Sequence, residues 1–195
     1  MNADIVIGIF VGGQSTRMAG RPKGLLPAPG SGEPLLGRAL RLCAETLPAA
    51  PRFLVGDARA YGDFGCVALA DDPVGIGPLG GLRALLLEAS RLGKAHVIAL
   101  SCDLPRFSAG LLARLAVEQP LAEALAPREG ERWQPFFARY ASPRAALAAA
   151  EALAAGDRSL QRVLARLATR ELELCASERA ELRDWDRPED IGPAP

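Results

Sequence analysis

Residues 5–10 (Ile-Val-Ile-Gly-Ile-Phe) form an unbroken apolar run rich in β-branched side chains, the pattern of a strand buried on both faces. Similar short runs recur at Arg52-Phe53-Leu54-Val55, Cys66-Val67-Ala68-Leu69 and Val97-Ile98-Ala99-Leu100. Between them lie stretches with apolar residues at helical spacing, over 34–43 with Pro34 near its start, and over about 82–92 after a Gly/Pro-rich turn. Ser108 is a candidate N-cap for a helix running to about residue 117. Strand and helix patterns alternating at this spacing predict an α/β chain: a mainly parallel sheet with helices on both faces, a three-layer sandwich.

The second half reads less regularly. Residues 123–127 could be a strand, and the aromatic piece 131–140 predicts a strand packed at the sheet edge. An Ala-rich helix is expected over 142–155, with Ser142 as N-cap and Pro143 in the first helical position. A second helix should begin around 156–160, and 171–174 could be a short strand. The length of 195 residues suits one domain with a sizeable core.

The first strand runs straight into Val11-Gly12-Gly13-Gln14-Ser15-Thr16-Arg17-Met18-Ala19-Gly20-Arg21-Pro22-Lys23. Glycines let backbone N–H groups approach an anion, and Arg17, Arg21 and Lys23 offset its charge, so the loop suits a phosphate. A tight surface turn after a core strand is the plainer explanation of Gly12-Gly13 alone. The spacing fits neither the P-loop nor the Gly-x-Gly-x-x-Gly fingerprint. In a parallel sheet ligands bind beyond the carboxyl ends of the strands. The glycine loop, Gly56-Asp57, Asp71-Asp72 and Asp103 all fall there.

Composition narrows the function. Formal net charge is zero, which argues against nucleic acid or an anionic membrane as main partner. No apolar run reaches the roughly 18 residues that span a bilayer, and no signal peptide is expected. Four widely spaced cysteines without a Cys-x-x-Cys pair read as free thiols of a cytoplasmic protein. His96 is the only histidine, so multi-histidine metal sites are excluded; it reads as a strand-entry residue. Lys23 and Lys94 are the only lysines, which singles out the one in the glycine loop.

The set Gly12-Gly13-x-Ser15-x-Arg17-Met18-x-Gly20-x-x-Lys23 resembles the signature loop of the small nucleotidyltransferases, and within them the molybdenum cofactor guanylyltransferases. Gly77-Pro78-Leu79-Gly80-Gly81, Ser101-Cys102-Asp103-Leu104-Pro105, Gln134-Pro135 and Gly156-Asp157-Arg158 resemble further family segments. The resemblance implies a Rossmann-like nucleotidyltransferase fold, with about 1–120 binding nucleotide and about 121–195 binding acceptor. It implies transfer of GMP from GTP to molybdopterin or molybdenum-loaded molybdopterin, with release of pyrophosphate and transient contact with cofactor-delivery proteins. Asp103 would hold Mg²⁺; a turn or capping aspartate is the plainer reading of that residue. Lys23 and Arg17 would bind phosphate oxygens, with Phe10, Val11, Gly12, Gly13, Asp71, Gly77, Pro78 and Leu79 around the nucleotide. Gly at position 12 and the Gly77-Pro78-Leu79 turn point to GTP rather than CTP. Several positions depart from the family pattern. Pro22 replaces an aspartate, Gly56 replaces a side chain that could touch the nucleotide although Asp57 is adjacent, and Asp184 and Asp186 replace asparagines. Transfer to another phosphorylated acceptor, use of CTP, or non-catalytic nucleotide binding remain open on these residues.

Overall fold

The computed structural model describes residues 4–11 and 22–185. Four parallel strands come first: β1 (Ile5–Phe10), β2 (Arg52–Val55), β3 (Val67–Leu69) and β4 (His96–Ser101). They are joined by helices α1 (Leu35–Thr46) and α2 (Pro78–Arg91), and followed by α3 (Ala109–Val117). Then come β5 (Ala124–Ala126), a small hairpin of β6 (Arg128–Glu129) and β7 (Arg132–Trp133), and β8 (Phe137–Ala141). Helices α4 (Ser142–Ala154) and α5 (Leu160–Ala165), strand β9 (Thr169–Glu171) and helix α6 (Ala176–Glu181) complete the described chain. The main sheet has seven strands in the order β3-β2-β1-β4-β8-β5-β9.

The alternation along the strands separates two core layers, because successive side chains point to opposite faces. Ile5, Ile7 and Ile9 of β1 pack with Leu36 and Cys43 of α1 and Leu112 and Leu115 of α3. Val6 and Phe10 pack on the other face with Leu82 and Leu85 of α2 and Ala149 of α4. All six residues of β1 are buried, as an apolar run covered on both faces requires. The three-layer α/β expectation therefore holds.

The second half corrects several readings. The aromatic piece does not lie at the sheet edge. The β6–β7 hairpin reverses the chain, and β8 then runs antiparallel between β4 and β5 in the interior. The strand expected over 171–174 is instead β9, paired with β5 through Thr169, Arg170 and Glu171. Leu172 and Leu174 are core residues just beyond it, which accounts for the apolar pattern. Helix α2 starts at Pro78 rather than Leu82, because proline is pre-set for the first helical position and Gly77 serves as N-cap. Helix α4 starts at Ser142, not after it, so Ala141 is the cap.

Arg139 of β8, 2% exposed, reaches the end of α3. One guanidinium nitrogen donates to the carbonyls of Leu115 and Ala116, both at 2.9 Å. Another donates to Glu118 and Gln119 carbonyls at 2.6 and 2.7 Å. The last carbonyls of a helix have no partner within it and carry its partial negative charge. A buried cation satisfies both needs and ties α3 to the sheet.

Candidate functional site

The centre of the site lies at the carboxyl ends of β1 and β4, which are neighbours in register from Ile5–His96 to Phe10–Ser101. Beyond β4 the chain turns through Cys102 and Asp103. Cys102 N–H donates to the Phe10 carbonyl at 3.2 Å, and Val11 N–H to the Val55 carbonyl at 3.0 Å. These bonds bring the ends of β1, β2 and β4 together. Lys23 approaches from the other side on a short 3-10 turn, Lys23–Leu25, preceded by Pro22. Its ammonium donates to Asp103 Oδ2 at 2.8 Å, and Ser101 Oγ donates to Asp103 Oδ1.

The pair is partly enclosed, with side-chain exposures of 19% for Lys23 and 12% for Asp103. The turn fits there because Gly24 has no side chain: a Cβ at that position would stand 2.7 Å from the Tyr61 ring. Tyr61 donates its hydroxyl to the Val11 carbonyl at 3.2 Å, and burial pushes its pKa well above the ordinary value. Cys102 beside it is pushed up to about 12, first by burial and then by Asp103, so it stays a neutral thiol.

Cavities lie on either side of this centre along the sheet. On one side, a cavity of about 630 Å³ lies beyond β2 and β3, lined by Gly56, Asp57, Arg59, Ala70 and Asp71 among others. Asp71 sits against the start of α2. A Cβ at Gly80 would come within 2.9 Å of Asp71 Cβ, and one at Gly81 within 2.8 Å of the Phe10 ring. The two glycines thus let Asp71 and Phe10 close on the helix. Burial raises the pKa of Asp71.

On the other side, two adjoining cavities of about 310 and 350 Å³ share Arg183 and Asp184. Gln134 and Arg128 line the first and Arg106 and Trp185 the second. Trp185 N–H donates to the Asp103 carbonyl at 3.1 Å, so the closing segment joins the centre. Its buried ring packs with Leu26, Ala28 and Leu35, just beyond Lys23.

The structure thus brings Phe10, Val11, Lys23 and Asp103 together, with Asp71, Gly77, Pro78 and Leu79 on one flank. Gly12, Gly13, Arg17 and Asp186 lie outside the described residues. His96 stands at the amino end of β4, at the opposite end from Asp103. Sequence reading did not single out Ser101 as an Asp103 partner, Tyr61, or Phe136, whose ring lies 4.8 Å from that of Phe10. Ser101 could have been found from its place two residues before Asp103 at a strand end. Tyr61 and Phe136 carry no local signal.

The oxygen chemistry of the centre suits a hard divalent cation. Among the described residues no cluster of three or more His, Cys, Asp or Glu could hold a metal by itself. One carboxylate, Asp103, with the Ser101 hydroxyl beside it, matches a Mg²⁺ that takes its other ligands from substrate phosphates and water. No helix among the described residues is long and apolar enough to cross a membrane.

Comparison with known proteins gives the same direction. Residues 7–172 match the family model for the MobA-like NTP transferase domain. A molybdenum cofactor guanylyltransferase from Pseudomonas putida is 39% identical over 189 residues, covering 93% of this chain and 92% of the relative. The crystal structure of molybdopterin-guanine dinucleotide biosynthesis protein A from Archaeoglobus fulgidus superposes with a TM-score of 0.69 at 19% identity, covering 94% of this chain and 93% of that one. The 2-C-methyl-D-erythritol 4-phosphate cytidylyltransferase of Thermus thermophilus superposes at 0.62 and 18% identity over 94% of this chain and 93% of that one. At such identity these two structures speak for the Rossmann-like fold alone.

Proposed function

Because the chain belongs to the MobA-like NTP transferase family, we propose that it transfers GMP from GTP to the phosphate of molybdopterin, releasing pyrophosphate, with Mg²⁺ as cofactor. The observation that carries this reading is the Lys23–Asp103 pair at the meeting point of β1 and β4, with cavity space on each side. A two-substrate transfer needs that arrangement: a base on one flank, an acceptor on the other, and the reacting phosphates between.

An oxygen of the acceptor phosphate attacks the α-phosphorus of GTP. The new P–O bond forms as the bond to the β-phosphate breaks, and pyrophosphate leaves with the electron pair. The acceptor is already an anion, so no enzyme base or nucleophile is required. The protein's work is positioning and charge neutralisation. Asp103 would hold Mg²⁺, which neutralises charge on the triphosphate. Lys23 would exchange its partner Asp103 for phosphate oxygens, and Arg17 and the N–H groups of Gly12 and Gly13 join it in this reading. Ser101 holds the Asp103 carboxylate in place. Phe10 and Val11, with Gly77, Pro78, Leu79 and Asp71, border the nucleotide. Residues to about 120 then form the nucleotide side and the remainder the acceptor side, in a cytoplasmic enzyme.

The test is to incubate the protein with GTP, molybdopterin and Mg²⁺, then follow pyrophosphate and the product mass. A guanine dinucleotide formed with Mg²⁺ and lost on chelation is expected. A cytosine product from CTP at equal or greater rate, or no product from any nucleotide, overturns the assignment.

A further inference from the structure

Tyr61 has no part in the chemistry above, yet it stands where the pieces of the site meet. It ends a short 3-10 turn, Arg59–Tyr61, between β2 and β3, and its N–H donates to the Ala58 carbonyl at 2.9 Å. Ala58, Arg59 and Gly62 around it line the cavity of about 630 Å³. Gly62, at a φ of 65°, takes the left-handed conformation that closes the turn. Tyr61 itself packs away from the cavity, 7% exposed, into the core layer of Ile9, Val11, Leu36, Cys102 and Leu104. We propose that Tyr61 is a positioning residue: from behind the wall of this cavity it fixes the end of β1, the Lys23 turn and the Asp103 corner relative to one another; the inference rests on the nucleotidyltransferase reading above.

Three chain segments meet at its ring and hydroxyl, and each carries or adjoins a group of the site. The hydroxyl donates to the Val11 carbonyl at 3.2 Å, where β1 has just ended. Its oxygen lies 3.9 Å from Cys102 Sγ, and the next residue is Asp103. The ring covers Gly24, the residue after Lys23. A Cβ there would stand 2.7 Å from the ring and 3.4 Å from Cys102 Cβ. Lys23 and Asp103 then meet at 2.8 Å from segments 80 residues apart. Lys23 stands on a single 3-10 turn and Asp103 lies beyond β4, so neither is held by a sheet ladder.

Packing alone does not call for a phenol at this position. Phenylalanine would fill the same space. A hydroxyl taken from water into an apolar layer loses hydration, which one 3.2 Å bond and a thiol contact offset only in part. Burial raises the pKa of the phenol well above its ordinary value, so it stays neutral and keeps a hydrogen to donate. The hydroxyl supplies direction. With the ring wedged against Gly24 and the O–H committed to Val11, one stiff side chain spans the segments. A misplacement of about 1 Å between reacting groups can cost about a hundredfold in rate, so the spacing of this cation and carboxylate is worth fixing.

The experiment is a double-mutant cycle of Tyr61→Phe and Lys23→Met. Pyrophosphate release from GTP and molybdopterin, and thermal unfolding, are the readouts. Tyr61→Phe keeps the ring and removes only the hydroxyl. Its unfolding midpoint should fall by no more than about 4 °C, as for one lost hydrogen bond. Its kcat should fall about tenfold while the KM for molybdopterin holds. In the Lys23→Met background the ammonium to be positioned is absent, and Tyr61→Phe should lower kcat there by less than about threefold. A loss below about threefold in the wild-type background, or an equal loss in both backgrounds, overturns the inference, because a merely structural effect is additive. If the wild type uses CTP in place of GTP, the guanylyl reading falls and the same cycle decides this inference with CTP. If no nucleotide yields pyrophosphate, both fall.

Discussion

On the β2–β3 side of the Lys23–Asp103 centre, the cavity wall is shaped by contacts close in sequence. Asp57 pairs with Arg59 two residues on, and the Gly80–Gly81 pair makes room for Asp71 ten residues earlier. On the β5–α6 side the wall is tied by side chains far apart in the chain. Arg114 of α3 binds Glu178 of α6, 64 residues away, and also the Glu173 carbonyl at 2.9 Å. Glu181 accepts the Ser108 N–H at the start of α3 at 3.0 Å, across 73 residues. Gln161 of α5 exchanges two hydrogen bonds with the backbone of Trp133 in the hairpin, at 3.0 and 2.8 Å. The first flank is therefore held by groups close in the chain, and the second by charged and amide side chains that join distant segments. Substitutions should separate them: local changes on one side should disturb nucleotide kinetics, while long-range pairs on the other should disturb stability first.

The largest effect belongs to the centre that both flanks share. Asp103→Asn should lower turnover several hundred-fold, equivalent to about 3–4 kcal/mol, while circular dichroism shows the fold retained. Near-wild-type turnover would remove Asp103 from the chemistry.

Arg139→Met comes next. It leaves four carbonyls at the end of α3 without their cationic donor, and should cost about 3 kcal/mol in urea unfolding. A loss below about 0.5 kcal/mol would mean that water or neighbouring amides replace the guanidinium readily, and the contrast between the flanks would weaken.

Gly81→Val tests the opposite flank. Its Cβ would meet Phe10 and Val55 side-chain carbons at 2.8 Å, so the helix start must shift, at a cost of about 1–3 kcal/mol. The KM for GTP should rise while that for the acceptor holds. Equal rises in both would show that the flanks are not independent.

The smallest effect is at Glu178, whose pKa is pushed down to about 2 by the Cys175 N–H and then by Arg114. A lowered folded pKa contributes stability above the ordinary value of 4.5 that is lost as pH falls toward 2. Solvent screens the pair, so Glu178→Gln should cost about 1 kcal/mol or less at pH 7. The gap between the two melting curves should close as pH falls from about 4.5. A gap that is constant with pH would assign the effect to packing rather than charge.

What the amino-acid sequence determined by itself follows the same division. β1, β2, β4, α1 and the Ser108-capped α3 were legible because each is specified within its own residues, by an apolar period, a cap or a proline. Lys23, Asp71 and Asp103 could be placed at one edge because a parallel sheet delivers every strand end there. The position of β8 inside the sheet, the true place of β9 and the burial of Arg139 were decided only in three dimensions. Strands of two to five residues carry too little periodicity to fix their own partners. An arginine looks the same in sequence whether it faces water or the end of a helix 20 residues away. The meeting of Lys23 with Asp103 across 80 residues was likewise a tertiary event, made by Gly24 letting a turn close against Tyr61.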